Sequence, residues 1–508
     1  MNLRWRRPSL PAVTVWLALF PALMVFIASV IYNRFTLVDD GMVLEVSTRH
    51  AFSDLLTPTG AGRFFPAYWI YHWLMFHLLP AQAWVPALAN GMLLLLTVAL
   101  VYLLARRMAG PWAGVAAGWL LCLNFATAET LFTLSKSEIK QAPLLLGVIL
   151  LLDDLLAGRR APTWKLFLAL PALAVLATLF KETGILLAVP LVIALLSPTG
   201  PPGKSVRGPM VATLVSLALC IPPIFIWGMK AGGYARATVF HEYSPSRGFD
   251  RALLLVPNAQ LALLLLAGLA GAMWLWRVND AARRRLPLLC GVCMALFGGL
   301  YLRTRLAHPY YFFPAVCFAA PLMATGGAAL WQAANRGRRV VIASGFSLLL
   351  LWGAQNLLLG ASLLSGWGWL CESLRARVLV ARPAAIWFDP VLGHDPVTGA
   401  LLLWQGADRV STTIGVYDGA RPPAEGDWYL SFRGPAANAR VPFRGVALAL
   451  PEPPAPQLPT GCTLAPLREF RISQPGFSRW PLWVDADRIG LTYRLEQFTG
   501  AGCGNSAP

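Results

Sequence analysis

The stretch LVDDGMVLEV, Leu37 to Val46, places two adjacent carboxylates, Asp39 and Asp40, just beyond a long apolar run. One reading is a helix cap, since Asp is stabilising at a helix N-terminus. Two adjacent caps are more than one helix requires. The other reading is a general base, or a metal or substrate ligand, at a membrane surface. FKETG sets Lys181 and Glu182 between two apolar runs with almost no loop. Charges at the edge of hydrocarbon are expensive, and they are functional candidates by default. YLRTRLAHPYYFFP gathers Arg303, Arg305, His308, Tyr310 and Tyr311 at another such edge. Arg suits phosphate oxygens, which it holds bidentately, and Lys holds them as a point charge. The plainer readings are an anchoring Lys–Glu pair, and a snorkelling Arg pair beside an aromatic belt. Glu129 and Glu138 flank a further loop, either as solvated helix ends or as acids that position an acceptor. His241, Glu242 and Tyr243 read as a surface segment rather than a site.

The elements that position these residues are membrane helices. The chain has 508 residues, 57% hydrophobic and 13% charged, against about a quarter charged in soluble proteins. Apolar windows of about 20 residues match a hydrocarbon core of roughly 30 Å. They give about eleven spans: 11–32, 82–104, 112–127, 139–157, 164–180, 183–197, 209–229, 252–276, 286–302, 309–332 and 340–364. Arg4, Arg6 and Arg7 precede the first span and have no cleavage site after it, so it reads as an uncleaved anchor. Arg106 and Arg107, then Arg159, Arg160 and Lys165, then Lys204 and Arg207 fall in alternate loops. Arg277 with Arg283 to Arg285, and Arg336 with Arg338 and Arg339, continue the series. This positive-inside pattern accounts for the net charge of +18 without a nucleic-acid partner. It places the N-terminus in the cytoplasm and every acidic or aromatic loop named above on the outer face.

The first outer loop, 33–81, holds the Asp pair and an aromatic piece, RFFPAYWIYHWLMFHLL, suited to lie in the interface plane. Beyond 364 the chain turns Pro- and Gly-rich with short β-type runs, and reads as a small extracytoplasmic α+β domain, 365–508. On that side Cys462 and Cys503 are able to form a disulfide. Cys290 and Cys293, a C-x-x-C inside a span, read as helix packing. Carboxylates, cations and aromatics on one face suit a substrate with a phosphate at the membrane edge and a polar part outside, the form of a lipid-linked sugar.

The order and sidedness of these motifs resemble the C-class (GT-C) membrane glycosyltransferases, in the branch of protein O-mannosyltransferases and lipid A aminoarabinose transferases. The acidic pair after the first span is shared, with Asp39-Asp40 where the family has Asp-Glu. GRFFPAYWIYH is similar to the family's Lys-Pro-Pro-Leu-x-Tyr-Trp motif, with Arg63 for the Lys, Pro66 near a proline position, and Tyr68-Trp69 as the aromatic pair. FKETG matches its Lys-Glu. The resemblance covers roughly residues 10–330. It implies a GT-C-like bundle in 1–364 that moves a sugar from a polyprenyl-phosphate donor to a lipid, glycan or protein acceptor. It implies inverting displacement on the outer face of the membrane; the high Arg, Ala, Leu, Trp and Pro content suggests a GC-rich bacterial gene, and so a bacterial cytoplasmic membrane. Asp39, partnered by Asp40, is then the catalytic residue that activates or positions the acceptor nucleophile. Arg63, Lys181, Arg303 and Arg305 are the phosphate-holding cations, and Tyr68, Glu182, His308, Tyr310 and Tyr311 complete the substrate site. No cofactor is required, and a divalent metal on the Asp pair stays open. Two readings from other classes stand beside it. A flippase of lipid-linked sugars predicts mid-span charges and broken helices. A non-catalytic envelope scaffold gives the acidic pair no role.

Overall fold

The computed structural model describes residues 12–35, 40–49, 51–56, 65–159, 163–196, 207–227, 259–303, 309–388, 412–417, 423–432, 456, 458–472 and 491–503. Apolar periodicity over long runs yields helices. They are α1 (Ala12–Tyr32), α2 (Asp40–Arg49), α3 (Pro66–Leu78), α4 (Trp84–Ala109), α5 (Pro111–Cys122), α6 (Phe125–Phe132) and α7 (Glu138–Leu156). After these come α8 (Trp164–Phe180), α9 (Ala188–Leu196), α10 (Arg207–Ile221), α11 (Ala259–Val278), α12 (Ala281–Arg303), α13 (Phe313–Ala333) and α14 (Arg336–Ala381). The chain is a polytopic helical membrane protein.

Among the described residues seven helices are long and apolar enough to cross a membrane, or eight if one bent pair counts as a span. That is fewer than the eleven expected, and the shortfall has local causes. The run 112–127 breaks into α5 and α6, bent by 62°, because Asn124 leaves the helix and caps α6 by accepting the Thr127 amide at 3.0 Å. The run 183–197 begins as a tight 3-10 turn, Glu182–Leu187, so little length remains for α9. Helix α7 carries Glu138, Lys140, Asp153 and Asp154, and those charges lower its apolarity. In the other direction, the run 340–364 continues without a break to Ala381.

Helices α1, α4, α5, α7, α13 and α14 contribute to one apolar core. At one end of it, Arg107 bridges Asp153 at 3.1 Å and Asp154 at 2.8 Å, and Arg159 closes the same two carboxylates. At the other end lie the polar residues described below. Arg34, just past α1, pairs with Glu372 near the end of α14 at 2.9 Å. That contact sets the C-terminal part of α14 beside the C-terminal end of α1.

Five strands follow α14: β1 (Ala385–Phe388), β2 (Thr413–Val416), β3 (Trp428–Phe432), β4 (Thr463–Ile472) and β5 (Leu491–Thr499). They form one sheet in the order β2-β1-β3-β5-β4. β1 is parallel to β2 and β3, and β5 is antiparallel to β3 and β4. Cys462 and Cys503 are joined in a disulfide beside Tyr417, Tyr429 and Phe498. Cys290 and Cys293 are buried and unbonded, as packing residues.

Candidate functional site

The polar end of the bundle is organised around the short turn between α6 and α7. Ser135 donates its amide to Asp40 Oδ1 at 2.8 Å. Its carbonyl accepts from the Tyr68 hydroxyl at 2.5 Å. The carbonyl of Leu134 accepts from Asn90 Nδ2 at 3.1 Å and from Lys140 Nζ at 3.2 Å. Lys140 Nζ also donates to Lys136 O at 2.8 Å, and Asn33 Nδ2 reaches Leu131 O at 3.1 Å. Side chains of four elements, α2, α3, α4 and α7, thus take up the backbone groups of one turn, and Asn33 takes up a carbonyl at the end of α6. Asp40 is only 2% exposed. A carboxylate at that depth needs donors, and the Ser135 amide is one.

Helix α3 supplies the aromatic wall. Tyr68, Trp69, His72 and Met75 are its buried face, the spacing of one helical stripe, while Leu74 and Leu78 face outward. His72 lies edge-on to Tyr68 and Tyr71, with ring centroids 4.7 and 5.2 Å away. Among the described residues neither of its ring nitrogens has a hydrogen-bond partner. Burial first, and the nearby Lys140 charge second, hold its pKa well below the usual histidine value.

The FKETG turn forms the opposite wall. Gln141 Nε2 donates to Ala177 O at 3.1 Å and Lys181 O at 3.0 Å, fixing the end of α8. Gly184 is required there, since a Cβ would come 2.5 Å from the Thr178 amide nitrogen. Lys181 Nζ meets Glu138 in a buried ion pair. It also lies 4.1 Å from the centre of the Tyr311 ring, with Tyr301 and Tyr310 behind it at 5.6 and 5.9 Å. Lys136 Nζ sits 3.9 Å over the Tyr310 ring, whose amide donates to Glu129 Oε2 at 3.0 Å. Cations over tyrosine faces at these distances are attracted by the ring quadrupole.

Of the residues singled out from sequence, Asp40, Tyr68, Lys181, Glu182, Tyr310 and Tyr311 are all buried at this end. Asp39, Arg63, Arg305 and His308 lie outside the described residues, as do His241, Glu242 and Tyr243. Arg303 is the last residue of α12. The solvated-end reading of Glu129 and Glu138 is corrected: they are 3% and 1% exposed, because the turn Pro309–Phe312 and the Lys181 turn fold over them. Sequence reading missed Asn90, Ser135, Lys136, Lys140, Gln141 and His72. The available signal was KSEIKQ, a polar run opening an otherwise apolar helix. Among the described residues no three His, Cys, Asp or Glu converge as a metal ligand set.

Comparison with known proteins is consistent with this picture. The family model described as dolichyl-phosphate-mannose-protein mannosyltransferase matches residues 65–227. That stretch contains Tyr68, His72, Glu129, Lys136, Glu138, Lys140 and Lys181, but neither Asp40 nor Tyr310. No curated protein matches the chain in sequence. ArnT from Cupriavidus metallidurans in the apo state is 16% identical, covering 83% of this chain and 93% of its own, with a TM-score of 0.49. The Archaeoglobus fulgidus oligosaccharyltransferase is 11% identical over 80% of this chain and 64% of its own, with a TM-score of 0.47. Arabinofuranosyltransferase AftD from Mycobacteria is 13% identical over 97% of this chain and 42% of its own, with a TM-score of 0.44. Over residues 65–227, which carry most of the cluster, the chain matches the family model of the dolichyl-phosphate-mannose-protein mannosyltransferases.

Proposed function

We propose that this protein transfers a sugar from a polyprenyl-phosphate donor to an acceptor hydroxyl at the outer face of a bacterial cytoplasmic membrane. The observation that carries the reading is Asp40. It is a buried carboxylate seated on the Ser135 amide, at the end of the bundle where Lys136, Lys140, Lys181 and four tyrosines also collect. The match of the mannosyltransferase family to residues 65–227 supports the same class of reaction.

In this reading the Asp39–Asp40 pair takes the proton of the acceptor hydroxyl as its oxygen attacks the anomeric carbon. The bond from that carbon to the phosphate oxygen breaks on the opposite side, so configuration inverts. The leaving polyprenyl phosphate keeps the electron pair. Nearby cations stabilise the charge it gains, and this replaces a general acid. Arg63, Arg303 and Arg305 are the proposed phosphate ligands, together with Lys181. Lys181 already shares its charge with Glu138, so the arginines carry the larger part. Tyr68, Glu182, His308, Tyr310 and Tyr311 shape the pocket. In this reading the sheet β1–β5 also lies on the outer face, which the Arg34–Glu372 contact between the end of α1 and α14 supports.

The test is transfer of labelled sugar by purified protein in detergent. It uses a panel of polyprenyl-phosphate sugars, envelope extract as acceptor, and Asp39→Asn and Asp40→Asn variants. Loss of a positioned general base lowers rate by about 10²–10⁴-fold, so one variant is expected to lose transfer in that range with donor binding intact. Donor binding without transfer by the parent, together with translocation of lipid-linked sugar in liposomes, would replace the enzyme with a flippase.

A further inference from the structure

The turn under Asp40 is held by a residue to which the proposed reaction gives no role. Lys140 is 2% exposed, and it opens α7 facing back toward the turn. Its ammonium donates to Leu134 O at 3.2 Å and to Lys136 O at 2.8 Å. These carbonyls bracket Ser135, the residue whose amide is given to Asp40. A single cation therefore grips the turn on both sides of the contact that orients the carboxylate. Asn90 strengthens one half of the grip through Leu134 O, and Tyr68 holds the carbonyl of Ser135 itself. The charged groups acting on Lys140 are Asp40, Glu138 and Lys136. Its ammonium also lies 5.9 and 5.5 Å from the rings of Tyr68 and Tyr71. Burying an ammonium is costly unless it is hydrogen-bonded and charge-compensated, so its place at this turn needs a reason.

We propose that Lys140 is a positioning residue for Asp40: it fixes the Leu134–Lys136 turn so that the Ser135 amide points at the carboxylate. The role rests on the glycosyl-transfer reading for its kinetic consequence, but not for its structural one. Lys140 touches neither donor nor acceptor in this assignment. It acts only through Ser135 and Asp40.

The experiment compares the full-length parent, Lys140→Met, Asn90→Ala, Asp40→Asn and the Lys140→Met/Asp40→Asn double variant in detergent. Hydrogen exchange of the segment 131–137 is read first, then transfer kinetics with the polyprenyl-phosphate sugar that the parent uses. Lys140→Met is expected to speed exchange of the Ser135 amide by at least tenfold and to lower kcat by ten- to a hundredfold with the donor KM unchanged. Asn90→Ala, which removes a separate donor to the same Leu134 carbonyl, is expected to move both readouts in the same direction by less. In the Asp40→Asn background Lys140→Met is expected to add no further loss. A raised donor KM with unchanged exchange would overturn the proposal and make Lys140 a donor ligand. Faster exchange with parental kcat would overturn it too, as would full additivity in the double variant. If the parent transfers no sugar, the functional reading falls. Exchange then decides the clamp alone, and unchanged exchange in both Lys140→Met and Asn90→Ala refutes it.

Discussion

At the residue scale, the Lys181–Glu138 pair separates charge from its usual cost. Both side chains are nearly closed to solvent, at 7% and 1%. Removing one partner of such a pair leaves the other poorly compensated, and breaking buried pairs costs roughly 3–5 kcal/mol. Glu138→Gln is therefore expected to lower the thermal midpoint in detergent markedly. Adding Lys181→Met to it is expected to recover most of the loss, because the stranded charge is gone. Recovery of stability without recovery of transfer would place Lys181 in the reaction as well as in the packing. His72 gives a pH signature at the same scale. Its folded pKa is held below the ordinary value near 6.5, while the unfolded chain takes up a proton around that pH. The unfolded state thus binds more protons below about pH 6.5, and stability falls as pH drops through that window. Thermal midpoints taken at pH 7.5 and 5.5 are expected to separate more for the parent than for His72→Phe. Equal separation would mean that His72 protonates in place.

At the scale of elements, close helix contact depends on small residues. A Cβ on Gly271 of α11 would come 2.5 Å from Leu322 O of α13, and one on Gly326 of α13 would come 2.8 Å from the Gly271 Cα. In lipid, such backbone approach is a main source of helix association. Gly271→Val is expected to destabilise the pair by about 1–3 kcal/mol through overpacking, read as a lower midpoint and looser cross-linking of α11 to α13. The same contact illustrates what sequence reveals. Hydropathy marks where α1, α4 and α13 run, because span length is set by the bilayer rather than by partners. It does not show that the run 112–127 bends at Asn124, since that bend depends on a side chain capping α6. The site divides likewise. Asp40, Lys181 and Tyr310 stand out as polar residues in apolar sequence. Ser135 and Asn90 do not, because their roles come from backbone groups brought together from elements far apart in the chain.

At the scale of the whole molecule, the two ends of the bundle carry different electrostatics. One end closes the Arg107–Asp153–Asp154–Arg159 network, and the other holds Asp40, the lysines and the tyrosines. The disulfide allows the orientation of these ends to be tested without any knowledge of substrate. Cys462 and Cys503 are bonded across a sequence separation of 41, and such bonds persist only in oxidising compartments. The Arg34–Glu372 contact ties the end of α14 to the Asp40 end of the bundle, and the sheet begins four residues beyond α14, at Ala385. If the Asp40 end faces outward, the sheet does too. The six remaining cysteines are all buried, so a maleimide reagent of high mass is expected to leave the natively folded chain in isolated membranes unlabelled. After mild reduction it is expected to add to two sites, both lost in Cys462→Ser/Cys503→Ser. Labelling of both positions without reductant in freshly prepared membranes would put the sheet, and with it Asp40, on the cytoplasmic side. Closing a loop of this length contributes about 3–4 kcal/mol by chain-entropy reasoning, so the double serine variant is also expected to lower the midpoint of the sheet. The response of the helical bundle measures how far the sheet supports the site: unchanged transfer with a melted sheet would confine the reaction to the helices, and lost transfer would make the sheet part of the acceptor's seat.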